Sequence, residues 1–205
     1  MKKIMTLFFV MTAAYTAHAQ SVTLLSFGGY TFQQKIRYSN ADIKIGDGFQ
    51  WGGGLEIGIN DSKAIELIYQ RMDPQVRATY YGIGAPDPES VDAGVNYIMV
   101  GGTNYFPLND MLSAFGTVDL GVMFANPKNR PNLDGMTRFA WGIRGGLKAS
   151  LSEVISLRIH AQLFSPVEAF GGGVWFGSGG SGGGISTYST IYQFDLGGSL
   201  NIKIK

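Results

Sequence analysis

His160, Asp195 and the serines Ser156 and Ser199 are the residues whose types permit nucleophilic catalysis. A serine hydroxyl attacks only when an imidazole accepts its proton and a carboxylate orients that imidazole. No strand-turn-helix nucleophile elbow accompanies these residues, and spacing alone does not assemble a triad, so no enzyme is expected. Metal chemistry fares no better. Asp87, Glu89 and Asp92 follow Pro86 without the spacing of a calcium loop and read as solvated loop acids. The absence of cysteine removes disulfides, thiolate metal sites, thiol catalysis and an acylated N-terminal cysteine in one step. The run from Gly177 to Gly184 lacks the Lys-Ser/Thr ending of a phosphate cradle. No cofactor is expected.

Charges of both signs remain, and the strand period places them. From Gln20 onward apolar residues recur at every second position, the period of a strand with two different faces. Phe139, Trp141, Ile143 and Leu147 share one parity; Arg138, Gly142, Arg144, Gly146 and Lys148 share the other. Further on, Ile155, Leu157, Ile159, Ala161 and Leu163 alternate with Ser156, Arg158, His160 and Gln162. This parity puts Glu56, Glu66, Asp119 and Asp195 on the polar face with Arg144, Lys148, Arg158 and His160. Counting along antiparallel neighbours brings Asp119 level with Arg144, and Asp195 level with Arg158 or His160. An unpaired charge in a narrow, low-dielectric space costs several kcal/mol. These groups are therefore expected to pair into an internal salt-bridge plug centred on Arg144.

Eight such runs can be read. Val22 to Ile36 and Val95 to Phe106 carry apolar residues on both parities and are strands without assigned faces. Trp51–Ile59, Lys63–Met72, Leu112–Phe124, the two runs just given and Tyr188–Ile204 complete the set. Connections alternate in length. Short ones lie at 60–62, 107–110 and 151–153, and long ones at about 37–48, 73–92, 125–135 and 165–186. Antiparallel strands then put all short links on one rim and all long ones on the other.

Lys2, Lys3, the apolar stretch Ile4 to Ala14 and Ala17-His18-Ala19 form a signal peptide, giving residues 1–19 as an export address and 20–205 as the mature domain. Cleavage changes the net charge from +1 to −1, since two of the 16 basic residues leave against 15 acidic ones. No basic run supports nucleic-acid binding.

Only 15% of the residues are charged, whereas soluble domains carry roughly 25%. The polar face, rich in Gly, Ser, Thr, Gln and Asn, suits a crowded lumen, and the apolar face is bulky. Its aromatics gather at the ends: Trp51, Tyr69, Phe124, Phe139, Trp141, Tyr188 and Tyr192 towards the long-link rim, Tyr105 and Phe115 towards the short one. Such rings match the interfacial girdles of membrane barrels. A secreted lipocalin-like barrel has the same strand number with inverted faces.

Taken together, the mature chain resembles the small eight-stranded outer-membrane β-barrels typified by the transmembrane domain of outer membrane protein A and by outer membrane protein X. The resemblance implies an all-β, up-and-down transmembrane barrel in the outer membrane of a Gram-negative bacterium. Its short turns and both termini would be periplasmic and its long loops extracellular. The chain ends Leu200-Asn201-Ile202-Lys203-Ile204-Lys205, whereas many such barrels end in an aromatic residue. Lipid A deacylases of that membrane carry His-x-Ser-Asn on a strand; here the stretch is His160-Ala161-Gln162-Leu163. The expected function is a non-enzymatic structural or interaction role, with a narrow porin-like channel for small solutes or ions and a secreted lipocalin-like ligand-binding barrel as the alternatives. Outer-membrane lipids and lipopolysaccharide are the expected surroundings of a monomeric barrel or of a subunit in a larger assembly. Trp175 and Phe176, in the Gly-rich last loop, are the candidates for gripping a protein partner.

Overall fold

Two-faced strands without helices must bury one face or close upon themselves, and this chain closes. A computed structural model describes residues 21–37, 41–82, 87–129, 134–167 and 191–205. The strands are β1 (Ser21–Thr31), β2 (Gln34–Arg37), β3 (Ala41–Ile45), β4 (Gly48–Asn60), β5 (Lys63–Met72), β6 (Gln75–Tyr80), β7 (Glu89–Pro107), β8 (Leu112–Pro127), β9 (Met136–Ser150), β10 (Ile155–Val167) and β11 (Gln193–Lys203). Eight of them, in the order β7-β5-β4-β1-β11-β10-β9-β8, pair antiparallel, and β7 pairs with β8 to close the ring. Closure leaves the barrel wall no unpaired edge, the condition for strands to stand in hydrocarbon.

Sidedness follows from exposure. Leu24, Leu55, Leu67, Val100, Leu120, Ile143, Ile159 and Leu196 point outward and are exposed, while Glu66, Asp119, Arg144, Arg158 and Asn201 point inward and are buried. That is the reverse of a lipocalin, whose hollow is apolar. The wall is greasy and the middle hydrophilic.

The faces of the two ambiguous runs are now clear. On β1, Thr23, Leu25, Phe27 and Thr31 face inward; on β7, Tyr97, Met99, Thr103 and Tyr105 do. Both parities are apolar because the lumen holds a set of apolar side chains, Leu25, Phe27, Ile68, Tyr97, Met99, Met123, Ala140 and Phe164. Gly142 makes room for it, since a Cβ there would run into the Phe164 ring.

The first two long links are corrected: they are strands over much of their length. β2 continues β1, β3 leads into β4, β6 continues β5, and the four strands β2-β3-β6-β7 keep the order of the wall below them. Register carries through in the two outer pairings, while the central one shifts by a residue, from Gln50↔Met72 to Ile45↔Val76. Thr31↔Gly48 is followed by Gln34↔Ile45, and Met72↔Val95 by Gln75↔Asp92. Phe32-Gln33, Gly46-Asp47 and Asp73-Pro74 interrupt the strands at one level, and Gly46 N–H to Gln75 O (2.8 Å) and Ala93 N–H to Pro74 O (3.0 Å) bridge the break. Half of the wall thus rises past the rim as a four-stranded extension.

At its tip Lys35 Nζ lies 2.7 Å from Asp42 Oδ2, and Tyr81 OH donates to the same oxygen at 2.8 Å. The Lys35 ammonium first, then the Tyr81 hydroxyl, hold the Asp42 carboxyl below its usual range. A depressed folded pKa means that this tie is fully present above the ordinary carboxylate value of about 4 and fails only as pH falls through the lower folded one. Amide protection of β2 and β3 should therefore stay constant from neutral pH down to about 4 and drop below it. Hydrogen exchange read by NMR checks this; a loss near pH 6 would refute it.

Candidate functional site in the barrel lumen

Three carboxylates stand on neighbouring strands at nearly one level: Glu56 on β4, Glu66 on β5 and Asp119 on β8. Glu56 and Glu66 are direct cross-strand partners, and Glu66↔Gly101↔Asp119 continues the row across β7. Like charges directly opposite repel, so the row needs cations. They come from β9, next to β8, and from β10 beyond it. Arg144 on β9 donates from Nη2 to Glu66 Oε2 at 2.7 Å and to Asp119 Oδ1 at 3.4 Å. Arg158 on β10 donates from Nη1 to Glu66 Oε1 at 2.9 Å and also reaches Glu56 and the Tyr105 hydroxyl. Thr103 Oγ1 donates to Glu66 Oε1 at 2.7 Å. Gly101 has to lack a side chain, because a Cβ would collide with the Asp119 carboxylate.

Glu66, not Arg144, is therefore the hub, shared by both guanidiniums and wholly buried. Lys148 forms no ion pair among the described residues; its ammonium sits 4.6 Å from the Tyr105 ring centroid. Tyr105 is itself a correction. Expected in the short-turn girdle, it faces inward, donates its hydroxyl to Glu56 and lies under Arg158. Phe115 is buried beside it. A narrow lumen that must hold a carboxylate–guanidinium pair can use a phenol, which supplies both a donor and a face for a cation.

Asp195 is the second correction. In the ladder it stands opposite Gln162, while Arg158 faces Ser199 and His160 faces Gly197. Asp195 Oδ2 accordingly accepts from Gln162 Nε2 at 2.9 Å. It ends a chain of amides that spans the lumen: Thr31 donates to Gln50 (3.0 Å), Gln50 to Gln70 (2.7 Å) and Gln162 to Gln70 (2.8 Å). These glutamines all lie on the polar parity, a signal the sequence carries. His160 makes no hydrogen bond to Ser156, Ser199 or Asp195; its ring stands edge-on to Phe27 at 6.2 Å, and Ser199 donates to Asn201 instead. The lumen thus holds ion pairs, a set of buried apolar side chains and a chain of amides that interleave: Gln70 stands opposite Tyr97, and Gln162 opposite Arg144.

Of the girdle residues, Trp51, Tyr69, Phe124, Phe139 and Trp141 point outward, Trp51 edge-on to Tyr69, and Tyr192 is exposed just before β11. Tyr188, Trp175, Phe176 and the signal segment 1–19 lie outside the described residues. Among the described residues no group of His, Asp or Glu is placed to hold a metal ion.

Residues 4–167 match the model of the outer membrane protein beta-barrel domain family. The chain belongs to that family. Solved structures of this barrel class share its shape. Neisserial surface protein A is 10% identical, with 88% of this chain and 95% of that one covered at a TM-score of 0.58. OprG of Pseudomonas aeruginosa is 10% identical, covering 92% and 98% at 0.54. The N-terminal barrel domain of OprF from the same organism is 13% identical, covering 89% and 98% at 0.50. Identities this low speak for fold alone. No curated protein matches the sequence. As a family member the barrel is an outer-membrane protein.

Proposed function

We propose that this outer-membrane barrel is a plugged, non-enzymatic protein that works from its surface and conducts no steady current. The observation that supports this is the network of ion pairs. Five charged side chains from five strands, Glu56, Glu66, Asp119, Arg144 and Arg158, meet across a lumen that eight strands leave only wide enough for side chains. The amide chain from Thr31 to Asp195 crosses it a second time.

Orientation follows family practice, with short turns in the periplasm and long connections outside. Both ends of the described barrel lie on the short-turn rim, where Val22 N–H donates to Lys205 O. On this reading residues 1–19 are an export signal, both termini are periplasmic, and the extension β2-β3-β6-β7 stands outside the cell. Purified protein in planar bilayers is expected to give no steady open level. A large stable conductance of the unaltered protein would overturn the reading.

A further inference from the structure

Residues paired across strands share a face, so the continuous strand β7 orients the whole extension. Its even-numbered residues point to the lipid side, Ile98 and Val100 among them, and its odd-numbered ones to the lumen. Val91 pairs with Val76 and, through it, with Ile45 and Gln34; Ile36, Ile43 and Ala78 lie in the next row. This apolar face continues the lumen side. The opposite face continues the lipid-facing wall, and there Lys35, Lys44 and Arg77 are successive partners in a single row, with Arg37 two residues above Lys35.

Three cations in one cross-strand row repel one another. On the same face Asp42 is taken by Lys35, Asp92 accepts from Gln75 and Asn129, and Asp47 accepts from Tyr30. Lys44 and Arg77 form no ion pair among the described residues. Below them Asp73 is neutralised by Arg71 and Lys128 at 3.0 and 2.8 Å. The lateral face of the extension is therefore basic.

Height identifies what it meets. Phe49, Tyr30, Phe32 and Phe194 are exposed on the outer wall and mark the upper edge of the apolar band. Lys44 is five residues above Phe49, about 12 Å along the membrane normal for a rise of about 3.3 Å per residue and a tilt near 40°. A partner arriving from outside the cell meets the tip, whereas this row looks sideways over the headgroups. We propose that Lys35, Lys44 and Arg77, with Arg37, bind phosphate groups of anionic lipid in the outer leaflet and so fix the height and tilt of the extension.

The test uses the full mature protein folded in detergent micelles, with native mass spectrometry or thermal shift reading retention of purified lipopolysaccharide, the same lipid after dephosphorylation, and a soluble sulfated polysaccharide. The unaltered protein should retain the phosphorylated lipid and lose it with rising salt. K35Q/K44Q/R77Q, which shows the same heat-shifted band if it folds, should bind at least about tenfold more weakly, each cation near an anionic surface contributing to the attraction. Equal retention by the triple variant, no preference for the phosphorylated form, or stronger binding of the soluble polyanion each overturns the proposal. Should the triple variant not fold, K44Q/R77Q, which spares the Lys35–Asp42 pair, gives the same comparison. Conductance by the unaltered barrel would undo the plugged-lumen reading and leave this one standing.

Discussion

Glu66→Ala is expected to destabilise the folded barrel by about 3–5 kcal/mol, the cost of removing one partner from a buried charge network. Glu66 accepts from Arg144, Arg158 and Thr103. Without it Arg144 keeps Asp119 at 3.4 Å, and Arg158 keeps Glu56. Two guanidiniums then share two carboxylates at poorer geometry. Relief from elsewhere is small, since Arg144 Nε and Nη1 and Arg158 Nε already meet no protein partner among the described residues. Glu66→Gln keeps an acceptor and loses the charge, so it should fall between. Asp195→Asn should cost at most about 1 kcal/mol, because its contact is an amide and not a cation. Urea unfolding in micelles, followed by the heat-dependent gel shift, ranks the three. If Glu66→Ala unfolds within about 0.5 kcal/mol of the unaltered protein, the ion pairs are not what the lumen depends on.

The contrast between Glu66 and Asp195 also marks what could be read from the residues. Alternation places both on the inner face correctly, because parity is local and survives any error in strand ends. Pairing is not local. The ladder between β10 and β11 sets Asp195 against Gln162, four residues from the level of Arg158, and nothing in either segment fixes that offset. Asp119 stands opposite Gly142, two residues from Arg144, yet the long guanidinium spans the difference. Tyr105 was missed because an aromatic near a strand end has two homes, headgroups or a lumen cation, and its parity lay in a run that was apolar on both faces. The extension was hidden for another reason. Ile43-Lys44-Ile45 and Val76-Arg77-Ala78 alternate as strands do, but Gly46-Asp47 and Asp73-Pro74 carry turn chemistry. The chain spends those residues on a kink in a continuing wall.

Leu120→Arg is expected to block assembly into bilayers, and depth is what gives the result its meaning. Leu120 points outward from β8, about midway between Ala114 at the short-turn rim and Phe124 in the upper girdle, with Val100 and Trp141 as its cross-strand neighbours. An arginine on the lipid face costs about 2–4 kcal/mol at the midplane and about 0–1 near an interface. Phe106→Arg, on the same lipid-facing wall but at the rim, should therefore fold almost as the unaltered chain does. Leu120 and Phe106 have nearly equal exposure, 53% and 54%, so a barrel surrounded by water would treat the two arginines alike. Folding yield into liposomes of two acyl-chain lengths separates the cases. The Leu120→Arg defect should deepen in the thicker bilayer, where the guanidinium has further to reach for water, and the Phe106→Arg yield should not change. Equal yields for both variants at both thicknesses would mean that the exposed leucines and valines of this wall do not face hydrocarbon.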